Sequence, residues 1–134
     1  IRTPEASLAA SAVSAIPAVR TFLLGIQRDM AERGGVVMDG RDIGTVVLPD
    51  AQVKVYLTAS AHTRAERRYK ELQEKGDTSK SLEMIEADIE ERDYRDMHRE
   101  ISPLCQAEDA VLVDSSDMTI EEVVDAILNL VKKA

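Results

Sequence analysis

The 134-residue chain switches several times between two kinds of apolar pattern. Long stretches repeat their apolar positions every three or four residues, as helices with one buried face do. Between them lie short runs of valine, isoleucine and leucine, as buried strands show. Thr3, Pro4 and Glu5 make a helix start. The threonine caps, proline tolerates the first helical position, and glutamate suits the positive end of the dipole. This helix is expected to reach about Ile16. Pro17 begins a second helix, which stops at Gly34-Gly35.

Residues 36–39 (VVMD) read as a buried strand, residues 40–51 as loop or partial helix, and residues 53–57 as the next strand. Ser60 caps a charged helix that reaches about Glu74 and ends at Gly76. After a polar loop over residues 77–81, a helix spans residues 82–99, and Ser102-Pro103 stops it. Residues 110–114 form a third strand. Thr119-Ile120-Glu121-Glu122 is a capping box. It opens a last helix with Ile120, Val124, Ile127 and Val131 on one face. Strands alternating with helices predict an α/β fold with parallel strands.

Composition narrows this picture. The length suits a single domain. Apolar residues make up 44%, but with one Phe, three Tyr and no Trp the core must be aliphatic. The net charge of -8 argues against general nucleic-acid binding, which needs a basic face. It leaves room for a small phosphate ligand, because the basic residues are bunched. No apolar run approaches the roughly 20 residues that span a bilayer, and no basic-then-apolar leader is present, so no membrane partner is expected. A single cysteine, Cys105, points to a reducing compartment, the cytoplasm, and to a small core filler. His62 and His98 have no partner at metal-ligand spacing. They read as surface residues, and no direct metal site is expected.

Three constellations could carry chemistry. The first is Asp39-Gly40-Arg41-Asp42, at the end of the expected strand 36–39. Ligands of open α/β sheets bind at strand ends. Arg41 offers a planar fork of donors suited to phosphate. Asp42 can accept from an exocyclic amine, and Asp39 stands where a magnesium-organising acid would. An Asp/Gly-rich turn is the competing reading. The second is a stripe along residues 82–99: Leu82, Ile85, Ile89, Arg92, Asp96 and Arg99, spaced by three and four. It begins apolar and ends ionic, as a face emerging from a core into a cleft would. An exposed helix end with weak i,i+4 pairs is the alternative. The third is Arg64, Arg67 and Arg68, read either as a solvated face, with Arg67 pairing Glu71, or as a lid that brings arginines onto a phosphoryl group. Ser7, Ser11 and Arg20 on the first two helices are a weaker signal.

DGRDIGTVVLPDAQVKVYLTAS, RAERR, ELQEKG and ERDYRDMHRE, in this order, resemble the bacterial type of cytidylate kinase. The similarity runs essentially from Ile1 to Ala134. It implies transfer of the ATP γ-phosphoryl group to CMP or dCMP, with Mg2+. By the resemblance, Ser11, Arg20 and Asp42 read the cytosine, Arg41 holds the monophosphate, and Arg92, Asp96 and Arg99 contact ribose and phosphate. Arg64, Arg67 and Arg68 form the lid. Ser115 and Ser116, after the last strand, lie where adenine would approach. It implies one partial domain, with nucleotide-binding helices over residues 1–34, a core over residues 35–60 and 82–134, and a lid over residues 61–81.

The departure from the family is large. G-x-x-x-x-G-K-[ST], whose amides and lysine cradle the β- and γ-phosphates, does not occur among the six glycines. The chain opens on Ile1 and reads as the later part of such an enzyme. The implied fold is an incomplete P-loop-kinase-like three-layer α/β/α arrangement whose central P-loop strand is missing. Two expectations follow. This polypeptide alone does not turn over. Unpaired strand edges favour self-association or pairing with an N-terminal segment. The alternatives are a non-catalytic nucleotide-binding or assembly module, or a kinase for another monophosphate.

Overall fold

Helix starts and stops follow local chemistry closely. The computed structural model describes residues 4–14 and 16–134, and the side chains of Pro4, Glu5, Ser7, Leu8 and Ser11 lie outside the described set. Helix α1 spans Pro4–Ser14 and α2 spans Pro17–Glu32, each with proline in its first turn. Gly34 and Gly35 leave α2 with φ of +74° and +66°, a region glycine enters without a Cβ penalty. A five-residue π-helical turn covers Ile43–Val47. Strand β1 is Val55–Thr58, α3 Ala61–Glu74, α4 Leu82–His98, β2 Val111–Asp114 and α5 Ile120–Val131.

Side chains close the helix ends as capping chemistry requires. The Thr63 amide donates to Ser60 Oγ at 3.0 Å at the start of α3, and the Met84 amide to Ser81 Oγ at 3.3 Å at the start of α4. The Thr119–Glu122 box forms both its bonds.

β1 and β2 pair in parallel, with Val55 opposite Val111 and Thr58 opposite Asp114. The connection between them is α3 followed by α4, which make the most extensive helix packing. The architecture is therefore α/β with parallel strands, but among the described residues the sheet has two strands, not three. Residues 36–39 are not a strand, and Val37 is 97% exposed. A β-branched run supplies propensity; a strand also needs a neighbour for its ladder of hydrogen bonds, and among the described residues none pairs with 36–39.

Among the described residues the buried hydrophobic ones are Val47, Ala59, Ala65, Ile85 and Val113. They lie along the sheet, the α3–α4 contact and the π turn. Large apolar residues elsewhere stay exposed, among them Phe22, Leu57, Leu112 and Ile120. The stripe expected to bury α5 is largely the uncovered one: Ile120, Val124 and Val131 are exposed, while Val123, Ala126, Ile127 and Leu130 are half-buried. The helix carries apolar residues on two faces, and periodicity does not say which one meets the sheet. Cys105 is exposed, not a core filler; it sits in irregular chain between α4 and β2, outside the packed layers. No helix among the described residues is long and apolar enough to cross a membrane.

Candidate functional site

Three stretches of chain bring their charged side chains together. α2 supplies Arg20, the turn after residue 39 supplies Arg41 and Asp42, and the end of α4 supplies Arg92, Asp96 and Arg99. Asp42 is buried although it carries a carboxylate. Burial of an ionised group requires partners, and Asp42 has two. Arg20 Nη2 donates to Asp42 Oδ2, and Arg99 Nη2 stands 4.0 Å from Asp42 Oδ1. Beside them Arg41 Nε donates to Asp96 Oδ2 at 2.7 Å, and Arg92 Nε lies 3.9 Å from the same oxygen. Four arginines thus meet two aspartates, which leaves two positive charges in a chain of net charge -8.

The chain's local geometry explains this arrangement. α4 ends at His98, one residue short of the expected boundary, and Arg99 is already extended. Arg99 Nε donates to the Ser102 carbonyl at 2.6 Å, and the Leu104 amide donates to the Asp96 carbonyl at 2.8 Å. The reversal needs Ser102 at φ +51°, an uncommon conformation for a residue with a Cβ. It tucks the Arg99 guanidinium against Asp42. Arg99 Nη2 is buried there without a hydrogen-bond acceptor. An unmet buried donor is costly, about 1–3 kcal/mol, and suits a site completed by an incoming anion. The turn itself is tight. A Cβ on Gly40 would stand 2.9 Å from Ile43 Cγ1, so the glycine lets the aspartate-rich turn lie against the π turn.

The arginines of α3 are placed differently. Arg64 makes a two-pronged contact with Asp93 of α4, at 3.1 and 2.5 Å. That hydrogen-bonded carboxylate raises the Arg64 pKa further, and Arg64 Nε also donates to the Ala59 carbonyl at 3.0 Å. Arg67 does not pair with Glu71. It donates to the Ser115 carbonyl at 2.5 Å and contacts Ser115 Oγ at 3.3 Å, tying α3 to the end of β2. Glu71 instead takes Arg68 at 2.6 Å and Lys75. Lys75 and Arg68 hold its carboxyl down to about 2. Among the described residues, these three arginines make no hydrogen bond or ion pair with the Asp42 cluster.

The remaining candidates divide. Ser11 lies on α1, but its side chain is outside the described residues. Asp39 is exposed and not on a strand. Ser115 is buried, its hydroxyl donating to the Thr58 carbonyl at 2.9 Å, and Ser116 Oγ donates to Asp114 Oδ1 at 2.6 Å. The Ser116 hydroxyl and amide hold the Asp114 carboxyl below its usual range. Both serine hydroxyls are committed to joining β1, β2 and α3. No group of three or more His, Cys, Asp or Glu side chains among the described residues could hold a metal. The sequence of this chain also holds no G-x-x-x-x-G-K-[ST] loop.

Two participants were missed in the sequence. Asp93 hides between the residues of the ionic stripe, one position off its face. Arg28 of α2 donates to the carbonyls of Val47 and Val46 at 3.0 and 2.9 Å. Its signal was its place two helical turns after Arg20.

The family model described as cytidylate kinase matches residues 1–133. The chain is 55% identical to a cytidylate kinase of Ligilactobacillus salivarius over 134 residues, covering 99% of this chain and 59% of that protein. It is 54% identical to a cytidylate kinase of Enterococcus faecalis, covering 99% and 58%, and 56% identical to one of Desulforamulus reducens, covering 99% and 60%. The chain thus spans about three fifths of the length of these relatives.

Proposed function

The chain belongs to the cytidylate kinase family, and we propose that its arginine–aspartate cluster takes the acceptor nucleotide, CMP or dCMP, for phosphorylation by ATP. The single observation that carries this reading is the convergence of Arg20, Arg41, Asp42, Arg92, Asp96 and Arg99 from three stretches of chain, with two positive charges in excess. A nucleoside monophosphate carries a dianionic phosphate and a base with both donors and acceptors. The cluster offers a counterpart for each.

In this reading the Asp42 carboxylate accepts from the cytosine exocyclic amine, and Arg20 donates to the ring acceptors. Uracil presents a carbonyl where cytosine has the amine, and a carbonyl facing a carboxylate leaves both unpaired. Such an unpaired group costs roughly 1–3 kcal/mol, or about ten- to hundredfold in affinity. Arg41 and Arg99 neutralise the phosphate, the latter with the donor that has no protein acceptor. Asp96 and Arg92 meet the ribose. Ser11 joins Arg20 and Asp42 at the base. No general base is required, because the attacking phosphate oxygen is already ionised.

Arg64, Arg67 and Arg68 serve as a lid in this scheme. To reach a phosphoryl group, Arg64 and Arg67 must exchange Asp93 and the Ser115 carbonyl for it, so lid closure competes with internal ion pairing. Asp39, Ser115 and Ser116 belong to the ATP side of the scheme. ATP and Mg2+ are the family's co-substrate and metal, but these 134 residues do not form their cradle, and the proposal for this polypeptide stops at acceptor binding. It is expected to be inactive alone.

Isothermal calorimetry of the 134-residue chain with CMP, dCMP and UMP tests the reading. CMP and dCMP should bind, and UMP should bind at least about tenfold more weakly, as one unpaired group demands. No heat with any nucleotide would remove the assignment. A coupled assay with ATP and CMP tests the second part, and clear turnover would overturn it. A non-catalytic nucleotide-binding module would give the same calorimetry and remain silent even when the phosphate cradle is supplied as a separate polypeptide.

A further inference from the structure

The π turn at Ile43–Val47 is held at both ends by one helix. Its first turn is wide: the Asp42 carbonyl accepts from the amides of Val46 and Val47 at 2.9 and 3.2 Å, and the Ile43 carbonyl from the Leu48 amide at 2.7 Å. π-helical turns are uncommon and concentrate at functional positions. The turn's last carbonyls have no intrahelical donor, as at any helix end. Arg28 supplies both donors, through Nε to Val47 and Nη2 to Val46. Val47 itself is buried. Arg20, two helical turns earlier on α2, pairs with Asp42, the residue that directly precedes the turn's other end.

We infer that Arg28 is a positioning residue, which fixes the π turn so that Arg41 and Asp42 stand in register with Arg20 and thereby sets the preference for an amine-bearing pyrimidine. The base-preference part rests on the function proposed above. Among the described residues, Arg28 makes no hydrogen bond or ion pair with the charged cluster; its bonds go to the Val46 and Val47 carbonyls. It acts through the backbone of residues 42–47. Arg28 stands eight positions after Arg20, a rise of about 12 Å at 1.5 Å per residue, so α2 works as a rigid spacer between the two grips. Lysine cannot replace Arg28 fully. Its single ammonium lacks the planar fork that spans two adjacent carbonyls.

The test uses Arg28→Lys and Arg28→Gln in the 134-residue chain, with three readouts: thermal melting, amide exchange along the backbone, and calorimetry with CMP and UMP. The amides of Val46, Val47 and Leu48 should exchange about tenfold faster, the scale of one lost hydrogen bond. The ratio of CMP to UMP affinity should fall several-fold. A merely structural role would not move that ratio, because a lower folded fraction weakens both nucleotides by the same factor. If Arg28→Gln does not fold, the lysine variant carries the test. An unchanged ratio, or exchange that accelerates evenly along the chain, overturns the inference. If the parent chain binds neither nucleotide, the function above fails. The exchange pattern then decides whether Arg28 positions the turn: acceleration confined to residues 42–48 supports it, and any other pattern overturns it.

Discussion

Asp42→Asn is the most informative single substitution. It keeps the size of the side chain and removes its charge. The Asp42 side chain is 11% exposed, against 24% for Arg20 and 30% for Arg99, so the three charges sit between buried and solvated. At 4.0 Å, a unit pair is worth about 4 kcal/mol gross at an effective dielectric of ~20. Two effects reduce this. The variant no longer has to desolvate a carboxylate, and water screens the partly exposed arginines. One effect opposes the reduction: four arginines are left with a single aspartate. The net cost is therefore about 1–3 kcal/mol, between the values for exposed and fully buried pairs. In a domain of this size each kcal/mol lowers the melting temperature by roughly 3–5 °C. Urea titration and calorimetric melting measure it directly. The same variant should lose about ten- to hundredfold in CMP affinity and lose its discrimination against UMP. A variant within about 0.5 kcal/mol of the parent, with an unchanged CMP/UMP ratio, would refute the argument that Asp42 is the hub of the cluster.

Other predictions concern charge, pH and assembly. Arg41→Ala should weaken CMP binding by about 1.5–3 kcal/mol, the scale of a charge-assisted hydrogen bond; an unchanged affinity in calorimetry takes Arg41 out of the site. His62 Nδ1 lies 2.9 Å from Glu86 and Nε2 lies 3.6 Å from Glu66, and the Glu86 hydrogen bond raises its pKa above 6.5. A raised folded pKa means that this bridge from α3 to α4 is fully stabilising below 6.5 and is lost as pH rises through the folded value. Melting temperature followed from pH 5.5 to 8.5 should therefore show a His62-dependent decline that is absent in His62→Ala, and identical profiles would refute it. Exposed Leu57, Leu112 and Ile120 beside a two-stranded sheet favour self-association; sedimentation velocity should show larger species as concentration rises, and a single monomer boundary at high concentration would count against this.

Much of the fold and of the candidate site could be read from local chemistry. Ser60, the Thr119–Glu122 box, Pro17 and the Gly34-Gly35 pair mark helix ends because capping and glycine φ preferences act within a few residues. β1 and β2 were legible as apolar runs bounded by turns. The ionic half of the stripe on α4 was legible because i,i+4 spacing puts Arg92 and Asp96 on one face. Pairing was not legible. Residues 36–39 have a strand's composition and no strand's neighbour, and hydrogen bonds between strands are made by partners distant in the chain. Arg67 illustrates the same limit: its spacing suggested Glu71, but its guanidinium reaches Ser115, 48 residues away.

Sequence alone therefore determined the order of the helices and of the two strands that pair, and the residue types available to an anionic ligand, since these follow from interactions within one or two helical turns. Tertiary structure decided which charges meet. Arg20 finds Asp42 22 residues later, and Arg41 finds Asp96 55 residues later, because α2, the π turn and the reversal after His98 are packed or bent to face one another. It also chose the face of α5 that meets the protein, the roles of Arg28 and Asp93, and the unmet donor of Arg99. Each of these depends on which surfaces come into contact, and nothing within a few residues of a side chain carries that information.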